Sequence, residues 1–278
     1  MAARRICKGS EFLPVLQFLP VNVAVCLAIF SIFAVQTGEG RHVNAPCYVR
    51  PMFVNMLKRK TEATMKIILT GATGYVGEGT LLELLKVDAV EKVLSGSRRP
   101  TGIRHEKLEE YLVKDFMELK EGDAHFSGYD AVFFIAGITS VGTPRDVYVR
   151  ISQEIPLHFA DIMPDKERMT FIYLSGAGTT PDGKQFWQQV KGKTETDIRT
   201  KGFKRAFAFR PAIMKWAKGQ KRIQAMQYFF LPLYPLLRLL GQANCMREIA
   251  LSQLVLARDG YDKFAISPRD IVKLAKRF

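Results

Sequence analysis

Cysteine, histidine and acidic side chains are all scarce in this chain of 278 residues. The four cysteines, Cys7, Cys26, Cys47 and Cys245, form no C-x-x-C pair and no zinc spacing, and three of them fall within the first 64 residues. A disulfide framework is thereby excluded, and the usage fits a reducing compartment. His42, His105, His125 and His158 stand far apart with no carboxylate or cysteine at ligand spacing, so no metal site is expected. The chain has no G-x-S-x-G elbow, which argues against a hydrolase of that type. Internal repeats and low-complexity tracts are missing too. Only 27 Asp and Glu oppose 41 Lys and Arg, leaving a formal charge of +14. Such a surface suits nucleic acid, an anionic membrane or a phosphorylated small molecule. The basic residues are scattered rather than striped, and no helix-turn-helix, zinc-finger or RNA-binding signature accompanies them. Nucleic acid is therefore not an expected partner.

Long apolar runs are lacking as well. The longest, Phe12 to Val35, is broken by Pro14, Gln17, Pro20, Asn22 and Ser31, and Val21 to Val35 alone falls short of the roughly 20 residues that span a bilayer. Residues 1–64 read as an extension outside the fold that starts at Met65. It is open to three readings: a signal-anchor helix, a cleaved targeting segment, or an addition outside the functional protein. Positive charge flanks the stretch on both sides, at Arg4, Arg5 and Lys8 before it and at Arg41, Arg50, Lys58, Arg59 and Lys60 after it, so charge does not set an orientation.

What is present begins at residue 66. Lys66-Ile67-Ile68-Leu69-Thr70 is a short apolar run of strand type, and Gly71, Gly74 and Gly77 follow it at the opening of a helical pattern, Val76 to Leu85. Glycine is needed where the backbone takes positive φ or must approach a ligand closely. A helix N-terminus delivered by such a turn attracts a pyrophosphate through its free N–H groups and its dipole. Strand, glycine turn and helix together make the first unit of a dinucleotide-binding sheet. Strand and helix patterns then alternate to the end of the chain. Strands are expected at Lys66–Thr70, Lys92–Ser95, Tyr111–Val113, Ala131–Ala136, Thr170–Leu174 and Ala206–Arg210. Helices are expected at Val76–Lys86, Asp146–Ile162, Lys184–Thr200, Arg247–Asp259 and Asp270–Lys276, the last capped by Ser267 with Pro268 in its first turn. The fold class is α/β, a Rossmann-type doubly wound parallel sheet over 65–278 with a small C-terminal region covering the substrate. The greasy segment Tyr228 to Leu240 holds two prolines and is too short to span a membrane. It is expected to wall a pocket or to pack on the core, with membrane contact or dimer contact as the lesser readings.

After the second strand comes Ser95-Gly96-Ser97-Arg98-Arg99. A carboxylate at this place would bond the ribose of NAD, whereas arginine pairs with the 2′-phosphate of NADP. Arg98 is the first candidate for that phosphate and Arg99 the second. Asp115 follows the third strand, where a side chain meets adenine, and Ala136-Gly137 closes the fourth, where small residues let a ribose lie close.

The blocks Thr70 to Gly77 (with Thr73, Tyr75 and Val76 between its glycines), Asp115-Phe116, Tyr173 to Gly178, Val190-Lys191-Gly192-Lys193-Thr194-Glu195 and Phe209-Arg210-Pro211 resemble an atypical short-chain dehydrogenase/reductase. The likeness is to the NAD(P)-binding group related to NAD-dependent epimerase/dehydratases. It covers essentially all of 65–278 and none of 1–64. It implies an NAD(P) cofactor, for which Arg98 makes NADP the first expectation and NAD the second, and a small-molecule substrate. In this superfamily a Tyr-x-x-x-Lys pair and a serine do the chemistry, the lysine holding the nicotinamide ribose and lowering the tyrosine pKa. Lys191 matches the lysine and Ser175 the serine, but four residues before Lys191 stands Trp187. An indole N–H donates a hydrogen bond and does not give up its proton near neutral pH. Three outcomes follow. Tyr173, Ser175 or a water on Lys191 could supply the proton; the reaction could need no acid there; or the protein could bind the cofactor without turning it over. Because that cofactor is cytosolic, the expected location is a membrane-anchored chain, held through residues 12–35, with a cytoplasmic body; the alternative is a soluble cytoplasmic protein.

Overall fold

The structure is a computed structural model that describes residues 64–278. The apolar stretch at 12–35, the three N-terminal cysteines and His42 lie outside the described residues. Among the described residues no helix is long and apolar enough to cross a membrane.

Seven strands form one sheet: β1 (Met65–Thr70), β2 (Val90–Ser97), β3 (Leu108–Leu112), β4 (Ala131–Phe134), β5 (Thr170–Leu174), β6 (Arg205–Phe209) and β9 (Ala265–Ile266). Their order is 3-2-1-4-5-6-9, and every neighbouring pair is parallel. β7 (Ile213–Lys215) and β8 (Ala243–Cys245) pair separately, also parallel. Parallel strands covered on both faces read as nearly continuous apolar runs, and MKIILT and AVFF do so. Side chains alternate across a strand. Ile67 and Leu69 therefore face one core, with Leu81 and Leu84 of α1 (Tyr75–Leu84) and with the apolar stripes of α7 (Met246–Asp259) and α8 (Pro268–Ala275). Ile68 faces the other, which is rich in aromatics. There Phe159 meets the rings of Phe116, Phe126 and Phe134 at centroid distances of 5.8, 5.2 and 5.6 Å.

The expected helix at 146–162 is broken in a way that matters. α2 (Arg145–Val149) runs into a π turn, Arg150–Glu154, before α3 (Ile155–Ile162) resumes. Pro156 has no N–H, so the carbonyl of Ser152, four residues back, loses its helical partner. The Tyr173 hydroxyl donates to that carbonyl at 2.6 Å, and Thr194 Oγ1 donates to it at 3.2 Å. The freed acceptor ties β5 and α4 (Phe186–Arg199) to this helix.

The segment 228–240 departs from the expectation of a pocket wall. It forms α5 (Ala225–Phe230) and α6 (Tyr234–Leu239), whose Phe229 and Leu239 are 75% and 84% exposed. Tyr228 packs on Trp216 at a 5.0 Å centroid distance, and Arg238 pairs with Glu248.

Candidate functional site

A cleft of about 1350 Å³ crosses the carboxyl ends of β1, β2, β4 and β5. Strand order reverses between β1 and β4, and such a switch point is where open α/β sheets place their ligands. The β1–α1 turn forms its floor. Gly71 has φ +76°, and a Cβ there would sit 2.6 Å from the Ala136 nitrogen. A Cβ on Gly77 would lie 2.0 Å from the Gly71 oxygen. The Gly74 N–H donates to the Gly71 carbonyl at 2.9 Å, and Thr70 Oγ1 accepts from the N–H groups of Ile135 and Ala136, locking this turn to the end of β4. No side chain caps α1, because Gly74 is its N-cap. The first-turn N–H groups are thus left for a ligand.

Below this turn, α1 grips the C-terminal region. Glu78 is 3% exposed, and its carboxylate accepts from the backbone N–H of Lys221 at 3.2 Å and of Arg222 at 2.6 Å. Gln220 Nε2 donates to the Tyr75 carbonyl, and the Tyr75 hydroxyl donates to that of Met214, both at 2.6 Å. Burial, with Tyr234 adding to it, pushes the Tyr75 phenol well above its ordinary range. Gln224, just beyond this clamp, lines the cleft.

Gly71, Thr73, Gly74, Tyr75, Val76 and Gly77 all line the cleft, as do Arg98, Arg99, Asp115, Ala136, Gly137 and Lys191. Arg98 and Arg99 are exposed, and among the described residues neither side chain forms an ion pair. Asp115 accepts from Arg150 Nη2 at 2.8 Å. From β2 to β5 there are three inter-strand steps, roughly 14 Å, so the arginines and Lys191 stand at opposite ends of one groove. Lys191 Nζ donates to the Leu174 carbonyl at 3.0 Å and lies 5.2 Å from the centre of the Tyr173 ring. Burial lowers its pKa to about 8, with Glu195 acting in the opposite sense. Both carboxylate oxygens of Glu195 are taken by Arg210. Gly192 allows this helix its position, since a Cβ there would lie 2.3 Å from the Pro181 nitrogen.

Three expected groups stand elsewhere. Ser175 is 8% exposed, is not among the cleft-lining residues, and its Oγ donates to Thr179 Oγ1 at 3.0 Å. Tyr173 is 2% exposed, its hydroxyl is spent on Ser152, and burial raises its phenol far above the usual range. That makes it a core residue rather than the missing acid. Trp187 Nε1 donates to Gln185 Oε1. Sequence reading passed over Arg150, Phe186 and Gln224, which also line the cleft. Pro156 was the available sign for Arg150, because a proline within a helical pattern distorts the preceding turn.

With this geometry in hand, residues 67–203 match the NAD dependent epimerase/dehydratase family. They belong to it. The NAD-dependent epimerase/dehydratase domain has curated relatives at low identity. The rat (Rattus norvegicus) protein HTATIP2 is 27% identical over 60% of this chain and 71% of its own length. The Meyerozyma guilliermondii protein FMP52, mitochondrial, is 25% identical over 54% of this chain and 65% of its own. Among solved structures, UDP-glucuronic acid 4-epimerase from Bacillus cereus in complex with NAD superposes with a TM-score of 0.54 at 15% identity. The match covers 77% of this chain and 83% of that one, and it supports the Rossmann-type fold of the epimerase/dehydratase domain. The expected location is corrected. Fungal relatives are named mitochondrial, which a membrane-anchored chain with a cytoplasmic body does not match. The described residues supply no spanning helix.

Proposed function

We propose that this epimerase/dehydratase-family protein is an NADP(H)-dependent oxidoreductase of atypical short-chain dehydrogenase type, acting on a small, apolar carbonyl or enone. The observation that carries the reading is the pair Arg98 and Arg99 at the end of β2, exposed and without a carboxylate partner, where an NAD-binding site would hold an acid. Gly71 and Gly77 have no room for side chains, and the open N-terminus of α1 suits a diphosphate. When bound, the cofactor would supply hydride. Asp115 would meet adenine, Ala136 and Gly137 the nearer ribose, and Lys191 the ribose at the far end of the cleft. Ser175 needs to exchange Thr179 for substrate if it is to take part. Ile138, Leu174 and Phe186 in the cleft lining favour an apolar substrate.

The test is Arg98→Ala, titrated with NADPH and NADH by fluorescence on the full chain. Loss of one partly solvated charge contact is expected to cost roughly 1–2 kcal/mol, a factor of about 5–30 in Kd for NADPH, and under about 2 for NADH. Equal effects on both coenzymes would reject the assignment. A second reading, a non-catalytic NADP(H)-binding sensor or scaffold, is favoured by Trp187 alone. It predicts NADPH binding with no oxidation by any carbonyl or enone.

A further inference from the structure

We propose that Lys191 Nζ is the group that gives a proton to the substrate oxygen in this cleft, in place of a phenol at position 187. The inference rests on the NADP(H) oxidoreductase reading above, and the geometry argues it by elimination and then directly.

The aromatic and serine proton donors near Lys191 are either hydrogen-bonded elsewhere or buried away from the cleft. Trp187 holds an indole whose N–H is engaged by Gln185. The Tyr173 hydroxyl donates to the Ser152 carbonyl and the Tyr75 hydroxyl to the Met214 carbonyl. Ser175 donates to Thr179 and stands outside the cleft lining. Tyr148 is 2% exposed against Phe186, with ring centroids 6.0 Å apart. The carboxylates are also accounted for. Asp115 is paired with Arg150, and Glu195, one turn from Lys191 on its own helix, is held on both oxygens by Arg210 from the end of β6. Asp146 and Glu154, from α2 and the π turn, are exposed on the cleft wall.

Lys191 differs from all of these. An ammonium carries three N–H bonds, and only one is spent, on the Leu174 carbonyl. The side chain lines the cleft and has no carboxylate of its own, since Arg210 occupies Glu195. Its surroundings are a strand carbonyl, an aromatic ring and apolar wall, so burial lowers its affinity for protons to about 8. It is thus charged near neutral pH yet able to release a proton, as an acid at its working pH should be. In the superfamily pattern the lysine acts through a tyrosine; here it would act directly. As hydride reaches the carbonyl carbon, the C=O π pair moves onto oxygen. The O–H bond forms there as one Nζ–H bond breaks, and the neutral amine regains its proton from solvent.

The experiment uses the full chain as wild type and as Lys191→Arg. Arginine keeps the positive charge and the hydrogen bonds but does not deprotonate. NADPH affinity is read by fluorescence, and turnover by NADPH oxidation with hexanal, trans-2-hexenal and a small quinone across pH. The free ε-amine of Lys191 is read by trinitrobenzenesulfonate labelling located by mass spectrometry. Wild-type labelling should show a midpoint at about 8 and protection by NADPH. Carbonyl-reduction kcat should fall as pH rises through that same value. With NADPH raised to saturation for each protein, as the fluorescence titration sets it, Lys191→Arg should lose roughly 100-fold or more in kcat. The proposal is overturned if Lys191→Arg keeps its kcat, or if the midpoint lies at the ordinary lysine value of about 10.4. It is overturned as well if wild type binds NADPH yet reduces none of the three probes, which leaves the cofactor reading standing. Absence of NADPH binding by wild type removes both.

Discussion

Removing Arg210 should loosen the helix that carries Lys191 more than any surface ion pair could. The Glu195 side chain is 4% exposed and that of Arg210 25%, so the pair is largely withdrawn from water. Breaking a buried pair by deleting one partner costs about 3–5 kcal/mol, because the remaining charge stays buried and uncompensated. Arg210→Met leaves Glu195 in that condition. For a body of this size each kcal/mol moves Tm by about 2–4 °C, so a fall of about 6–20 °C is expected. The double variant Glu195→Gln, Arg210→Met removes the stranded charge and should recover most of the loss, since apolar replacement of a buried pair is often neutral. Lys66→Ala, which breaks an exposed pair with Glu91, is the comparison and should cost about 0–1 kcal/mol. The assay is thermal unfolding of the full-length variants by far-ultraviolet circular dichroism. An Arg210→Met melting curve overlapping that of Lys66→Ala would refute the reasoning, as would a double variant no more stable than the single.

Gly77→Ala places a Cβ 2.0 Å from the Gly71 oxygen and must displace the turn; NADPH binding should weaken by about 10-fold or more, read by the same titration. Tyr173→Phe strands the Ser152 carbonyl with one partner fewer and should cost about 1–3 kcal/mol in urea unfolding. NADPH affinity should be unchanged by it, and a loss of turnover without a loss of stability would restore Tyr173 as an acid. Burial pushes the Asp270 carboxyl up, but hydrogen bonds from Ser267, Lys263 and Tyr261 outweigh it and hold the group below its ordinary range. Its unfolded form therefore binds protons first, so its stabilising contribution is complete above about pH 5 and is lost as pH falls through the folded value. Asp270→Asn should flatten the acid limb of stability against pH.

Much of this site was legible because glycine and charge leave marks that need no partner. Gly71 and Gly77 sit where backbone meets backbone, and Arg98 follows a strand whose Val93-Leu94 pair is fully buried. Six strands of the parallel sheet were readable for the same reason. β9, of two residues, and β7 and β8, of three each, carry no periodicity to read. The edge strand β3 lies at Leu108–Leu112 rather than 111–113, because it is half solvated and alternates weakly. Other features are tertiary facts. That Tyr173 spends its hydroxyl on Ser152, that Ser175 turns to Thr179, and that Phe229 and Leu239 face outward all depend on neighbours distant in sequence. Pro156 marked the distortion, but not which side chains would exploit it.

Glu78 has a consequence for how the two ends of the molecule communicate. One carboxylate at the root of the phosphate-facing helix holds two successive amides of the segment leading to Gln224. A small tilt of that helix on receiving an anion would pull on those two amides and so on the stretch of backbone that brings Gln224 to the cleft.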